Sequence, residues 1–120
     1  MSYPAFSQSD IENYRNEVEI IKLTAEQVIK DFALFGLEIS FSGDIINAYD
    51  ELFEQLNSYM IVLISSDYRK LLSLLYHIDI SEKDLKEKLT NLSELTSELI
   101  TEMILERELK KVIIRKYFMG

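Results

Sequence analysis

The sequence predicts an all-α protein, an antiparallel bundle of three long helical arms, and three observations carry that prediction. The only proline is Pro4, and the only glycines before the last residue are Gly36 and Gly43. Residues that stop helices are therefore nearly missing. Apolar residues recur at spacings of three and four over long stretches, the period of one helix face. A single short segment, 37–42, departs from that period.

The first arm is expected over about 9–35. Ser9 and Glu12 have capping-box spacing. Ile11, Tyr14, Val18, Ile21, Ala25, Val28, Phe32 and Phe35 then alternate spacings of three and four without interruption, a heptad seam. Gly36 follows the seam directly, where a left-handed glycine ends a helix. Between the glycines, Leu37, Ile39 and Phe41 alternate with Glu38, Ser40 and Ser42. That is strand periodicity, yet no second strand candidate exists to pair with it. The segment is either an extended connector packed on helices or an edge that pairs with another copy.

The second arm is expected over 44–77, starting at Ser42 or Asp44 as a cap. Ile46, Tyr49, Phe53, Leu56, Met60 and Leu63 form one stripe; Ile61, Ile64, Tyr68, Leu71, Leu75 and Ile78 form another. The stripes overlap at 60–64, which reads as buried on every side. Ser65-Ser66-Asp67 resembles a fresh N-cap, so a break at 65–67 competes with a continuous helix. The third arm is expected over 82–118, opened by Ser81 with Asp84. Ile100, Ile104 and Ile114 add a second apolar face to its far half, which implies either two packed neighbours or a subunit interface.

Composition bounds the function. With 120 residues, 48% of them hydrophobic, the chain suits a single helical domain over 9–120 behind a flexible segment at 1–8. It has no cysteine, which excludes disulfides, thiolate metal sites and thiol nucleophiles. The first ten residues lack the basic and apolar regions of a secretory signal. The longest apolar run, Met60 to Ile64, falls far short of the roughly 20 residues that cross a bilayer. A cytoplasmic location is the expectation, with no membrane partner. Net charge is −8, and residues 107–120 carry a local balance of +4, leaving −12 on the rest. So acidic a body repels phosphate backbones, so no nucleic-acid partner is expected. The basic stretch suits the C-terminal end of a helix.

Chemistry is sparse. A di-iron bundle needs Glu-x-x-His pairs, and the only histidine, His77, follows Leu74 at that spacing. His77 reads as a helix-ending residue beside Asp79. No Gly-x-Ser-x-Gly turn is present, and Ser40–Asp44 lacks the lysine of a phosphate loop. Glu94, Glu98, Glu102 and Glu106 form an acidic ridge at intervals of four. Glu106 also shares a seven-residue row with Leu85, Leu92, Leu99 and Ile113, so it is the carboxylate expected to point inward or into an interface.

No cofactor or metal is implied. The sequence is read as a non-enzymatic interaction or scaffold module, a homodimer that also has room for a protein partner. The alternative is a small bundle binding a ligand or a divalent metal. The expected interaction surface is Leu37, Ile39, Phe41, Ile100, Ile104, Glu106 and Ile114.

Overall fold

The computed structural model describes residues 8–90 and 96–118. The expectation of a flexible start lies outside the described residues up to 7, and Gln8 already belongs to a helix. Six helices are present among the described residues, in the order α1 (Gln8–Tyr14), α2 (Val18–Ala33), α3 (Ala48–Ser66), α4 (Tyr68–Ile78), α5 (Glu82–Thr90) and α6 (Ser97–Tyr117). Among the described residues there is no strand, and no helix is long and apolar enough to cross a membrane. The all-α bundle is as expected, but each of the three arms is broken. The longest dimension is 38 Å, whereas an unbroken helix over 44–77 alone would reach about 50 Å.

The first arm breaks at Arg15–Glu17. Glu17 N–H turns back to the Tyr14 carbonyl at 3.1 Å, and α2 restarts with Ile21 N–H on the Glu17 carbonyl at 3.0 Å. The Arg15 carbonyl is taken instead by the Tyr49 hydroxyl, and the Arg15 guanidinium lies 4.9 Å over the Tyr49 ring. The kink moves Val18 out of the seam into solvent and puts Ile20 into the interior. Downstream, Ile21, Ala25, Val28 and Phe32 are buried as the seam predicts.

Gly36 ends the arm in a left-handed conformation, φ 73°. Leu37 N–H bonds to Phe32 O and Gly36 N–H to Ala33 O, each at 3.0 Å. This is a complete Schellman motif, which satisfies carbonyls that the helix end leaves open. The end of α4 repeats it with Asp79 in the left-handed position, φ 77°. Ile80 N–H bonds to Leu75 O at 2.8 Å and Asp79 N–H to Tyr76 O at 3.0 Å.

Segment 37–42 is an extended connector. Gln55 accepts from Ser40 N–H at 2.9 Å and donates to Ser40 O at 2.8 Å. The Glu51 carboxylate accepts from Ser42 N–H at 2.9 Å, and the Tyr59 hydroxyl donates to Glu38 O at 2.8 Å. Residues 51, 55 and 59 share one face of α3 at intervals of four, while 38, 40 and 42 share one edge of an extended chain. A ladder of side chains thus supplies the partner that a second strand would otherwise provide. Leu37 and Ile39 face the opposite way and are buried.

The second arm starts later than expected. Asp44 Oδ1 accepts from Ile46 N–H at 3.2 Å, closing a turn, and α3 begins only at Ala48. Ile46 is 92% exposed, so it leaves the predicted stripe. The chain does break at 65–67, where Asp67 caps α4 by accepting from Lys70 N–H at 3.1 Å. The expectation that 60–64 is buried all round fails. Met60 and Leu63 are interior, but Ile61 is 55% and Val62 56% exposed, because a single face of α3 meets the core.

Ser81 and Asp84 cap α5 reciprocally, at 2.9 and 3.1 Å. The third arm is not continuous: Thr96 is extended and caps α6 by accepting from Leu99 N–H at 3.1 Å. Leu92, Leu95 and Glu94 lie outside the described residues. The excess apolar surface of α6 is explained by its position, since it packs against α1, α2, α3 and α4. Its first half, with Ile100 and Ile104, enters the main core among α2, α3 and α4. Its second half, with Leu109, Val112 and Ile113, forms a smaller core with Ile11 and Ile20. Each such fully buried aliphatic side chain contributes about 1.5–3 kcal/mol.

Candidate functional site

The residues expected to form an interaction surface do not share one. Leu37, Ile39, Ile100 and Ile104 meet inside the main core, and Phe41 packs half-buried against it. Ile114 is half-buried on α6. Glu106 is half-exposed and pairs with Lys110 at 3.4 Å, one turn on. The row that placed it with Leu85 and Leu92 is interrupted by the new start of α6. Glu98 and Glu102 are exposed. Among the described residues, no group of three or more carboxylates or histidines is placed to hold a metal ion.

The inward carboxylate of α6 is Glu108, which has no exposed surface. It sits where the two cores meet, between Ile104 and Leu109. Opposite it on α2 is Asp31, 4% exposed, and the Lys111 ammonium lies within 3.6 Å of both carboxyl groups. Three elements build the surroundings. Gln27, one turn before Asp31, donates its amide to Asp31 Oδ1 at 3.0 Å. His77 Nε2 from α4 is 3.2 Å from the same oxygen, and its ring meets Phe35 edge-on at 5.7 Å. Lys111 of α6 places Nζ 2.8 Å from Glu108 Oε1 and 3.6 Å from Asp31 Oδ2. The shorter approach is a close ion pair that falls outside hydrogen-bond alignment. Arg115 reaches the outer side of Gln27 at 3.2 Å.

The two acids are driven apart. Burial, together with the hydrogen bond to Asp31, pushes Glu108 up to about 8 against the pull of Lys111. Burial also acts to raise Asp31, but hydrogen bonds with Glu108 and Gln27 and the charge of Lys111 hold it below the ordinary carboxylate range. The two shifts run in opposite directions beside a single cation, Lys111. His77 does work with a carboxylate, but that partner is Asp31. Asp79, its neighbour in sequence, is bound by Arg107.

Sequence reasoning passed over both acids. Asp31 precedes Phe32 of the seam, and Thr24, Gln27 and Asp31 follow Ile20 at spacings of four, three and four. That second row was the available signal. Glu108 lies four residues after Ile104 and four before Val112, in register with the buried face.

A second feature lies on the outside of α3. Ser58, Ile61, Val62 and Ser65 occupy one exposed face. No charged residue occurs from Gln55 through Ser66. The serine hydroxyls donate to carbonyls of their own helix, Ser58 to Glu54 at 3.0 Å and Ser65 to Ile61 at 3.2 Å. This face asks water for little. Fold and sites together define a small all-helical protein with an uncharged outer face and a buried acid pair. The chain matches no protein-family model, no curated protein and no solved structure.

Proposed function

We propose that this chain is a non-catalytic helical interaction module, and that its partner at the α3 face is a second copy of itself. The observation that carries the reading is the exposure of Ile61 and Val62 at the centre of an uncharged helix face. Apolar side chains placed together in this way mark contact sites on soluble proteins. Charge selects the occupant. A chain of net charge −8 repels its own copy on balance, and the stretch from 55 to 66 is one where two copies approach without that cost. A strongly basic or acidic partner would find no counter-charge there. The self-bonded serines flanking Ile61 and Val62 are small enough for two α3 helices to pack closely about a two-fold axis. Of the residues first expected at the interface, Leu37, Ile39, Ile100 and Ile104 are occupied by the chain's own core, so the proposed contact lies on α3. The ligand- or metal-binding alternative draws no support from the arrangement of donors among the described residues.

Sedimentation velocity across a concentration series tests the reading. The wild-type chain is expected to dimerise, and the double substitution Ile61→Glu with Val62→Glu is expected to leave a monomer. Because both sites are exposed, the monomer's stability should change by no more than about 0.5 kcal/mol per site. A wild-type chain that stays monomeric at high concentration, or a dimer indifferent to the double substitution, overturns the proposal.

A further inference from the structure

The Asp31–Glu108 pair has an oxygen inventory that fixed atoms do not complete. Both Glu108 carboxyl oxygens and Asp31 Oδ2 are buried without a hydrogen-bond donor. Lys111 stands 3.6 Å from Asp31 Oδ2, beyond a good hydrogen bond. Unsatisfied carboxylate oxygens in such a place are strongly disfavoured, and two ionised carboxylates facing each other more so. One proton between them answers both problems. It gives each acid a hydrogen bond and lowers the charge of the cluster to what Lys111 balances.

We propose that Asp31 and Glu108 form a proton-binding pair whose ligand is a single proton, and that releasing it to alkaline solution loosens the contact between α2 and α6. The groups facing the pair are limited. From α2 there are Asp31 itself and the uncharged Gln27; from α4 there is His77; from α6 there are Lys111 and, through Gln27, Arg115. No titratable side chain of α1 or α3 is among the groups that act on either acid. His77 meets the pair only through Asp31 Oδ1. Lys111 is the one cation against Glu108, and a second negative charge exceeds what it offsets. Neither acid can turn to water without separating the two helices, because Glu108 is wholly enclosed between the two cores.

The direction of the linkage follows. The folded chain keeps a proton up to about pH 8 that Glu108, with its ordinary value of 4.5, releases on unfolding. The folded state therefore binds more protons between those limits, and stability falls as pH rises through that window and levels above it. Thermal melting followed by circular dichroism from pH 5 to pH 10 tests this, on the wild type and on Glu108→Gln. The amide of the variant mimics the protonated acid, donating to Asp31 without a proton to lose. The wild-type midpoint is expected to fall by roughly 10 °C more than that of Glu108→Gln over this range. Parallel profiles overturn the proposal. Should Glu108→Gln not fold, infrared spectroscopy of the wild type decides. A carboxylic-acid C=O band present at pH 7 and lost by pH 10 supports the pair, and its absence at pH 7 overturns it.

Discussion

Two polar contacts hold elements of this bundle together, and they follow opposite rules. On the outside, α3 lays Glu51, Gln55 and Tyr59 along the connector, and the carboxylate of Glu51 accepts two directed bonds from Ser42. On the inside, Glu108 meets one misaligned ammonium and another acid. The outer contact is built from groups matched one to one, near enough to water that no single loss is severe. The inner contact is one donor short, and a proton from solution completes it. Satisfaction by geometry makes a contact indifferent to pH over the neutral range; satisfaction by a proton makes it conditional.

The sharpest way to break the comparison is Lys111→Met. With the cation gone, the acid pair is left buried without its balancing charge, and the loss is expected to reach about 2–3 kcal/mol at pH 9. At pH 6, where Glu108 holds its proton, the loss should be smaller. Urea denaturation at the two pH values measures both, and equal losses would mean that the inner contact is as indifferent to pH as the outer one. Next comes Gln55→Ala, which removes both bonds to the Ser40 backbone and should cost about 1–2 kcal/mol, the same at pH 6 and pH 9. Faster amide exchange at Ser40 should accompany it. Smallest is Tyr59→Phe, which removes one exposed bond to Glu38 and should cost about 0.5–1 kcal/mol. If Tyr59→Phe outweighs Gln55→Ala, the ladder is not a row of comparable rungs.

The sequence made the local events legible. Gly36 stops α2 by the mechanism its position implies, Ser81 and Asp84 cap α5 as their spacing implies, and Asp67 opens α4. Each depends on atoms within a few residues. What escaped depends on atoms far along the chain. The kink at Arg15 is held by Tyr49, 34 residues away. The connector's partner is a row of polar side chains that looks like an ordinary solvent face of α3. Thr96 ends the predicted third arm with a cap that tolerates either reading. Glu108 is invisible to such reasoning because periodicity marks a buried face only where its residues are apolar. The apolar excess of α6 misleads for the complementary reason: α6 is rich in apolar residues because it is central, and α3 exposes Ile61 and Val62 because only one of its faces meets the core.

The central position of α6 also bears on how fast the chain can find its fold. Helical bundles usually fold quickly because neighbours in space are neighbours in sequence. Here Tyr117 meets Glu17 across 100 residues, and Arg115 meets Gln27 across 88. The connector and α3, joined over 9–21 residues, can assemble locally, but both cores wait for α6 to return across the whole chain. Closing so large a loop is entropically costly. The slow event in folding is thus expected to be the arrival of one helix, with most of the secondary structure already in place.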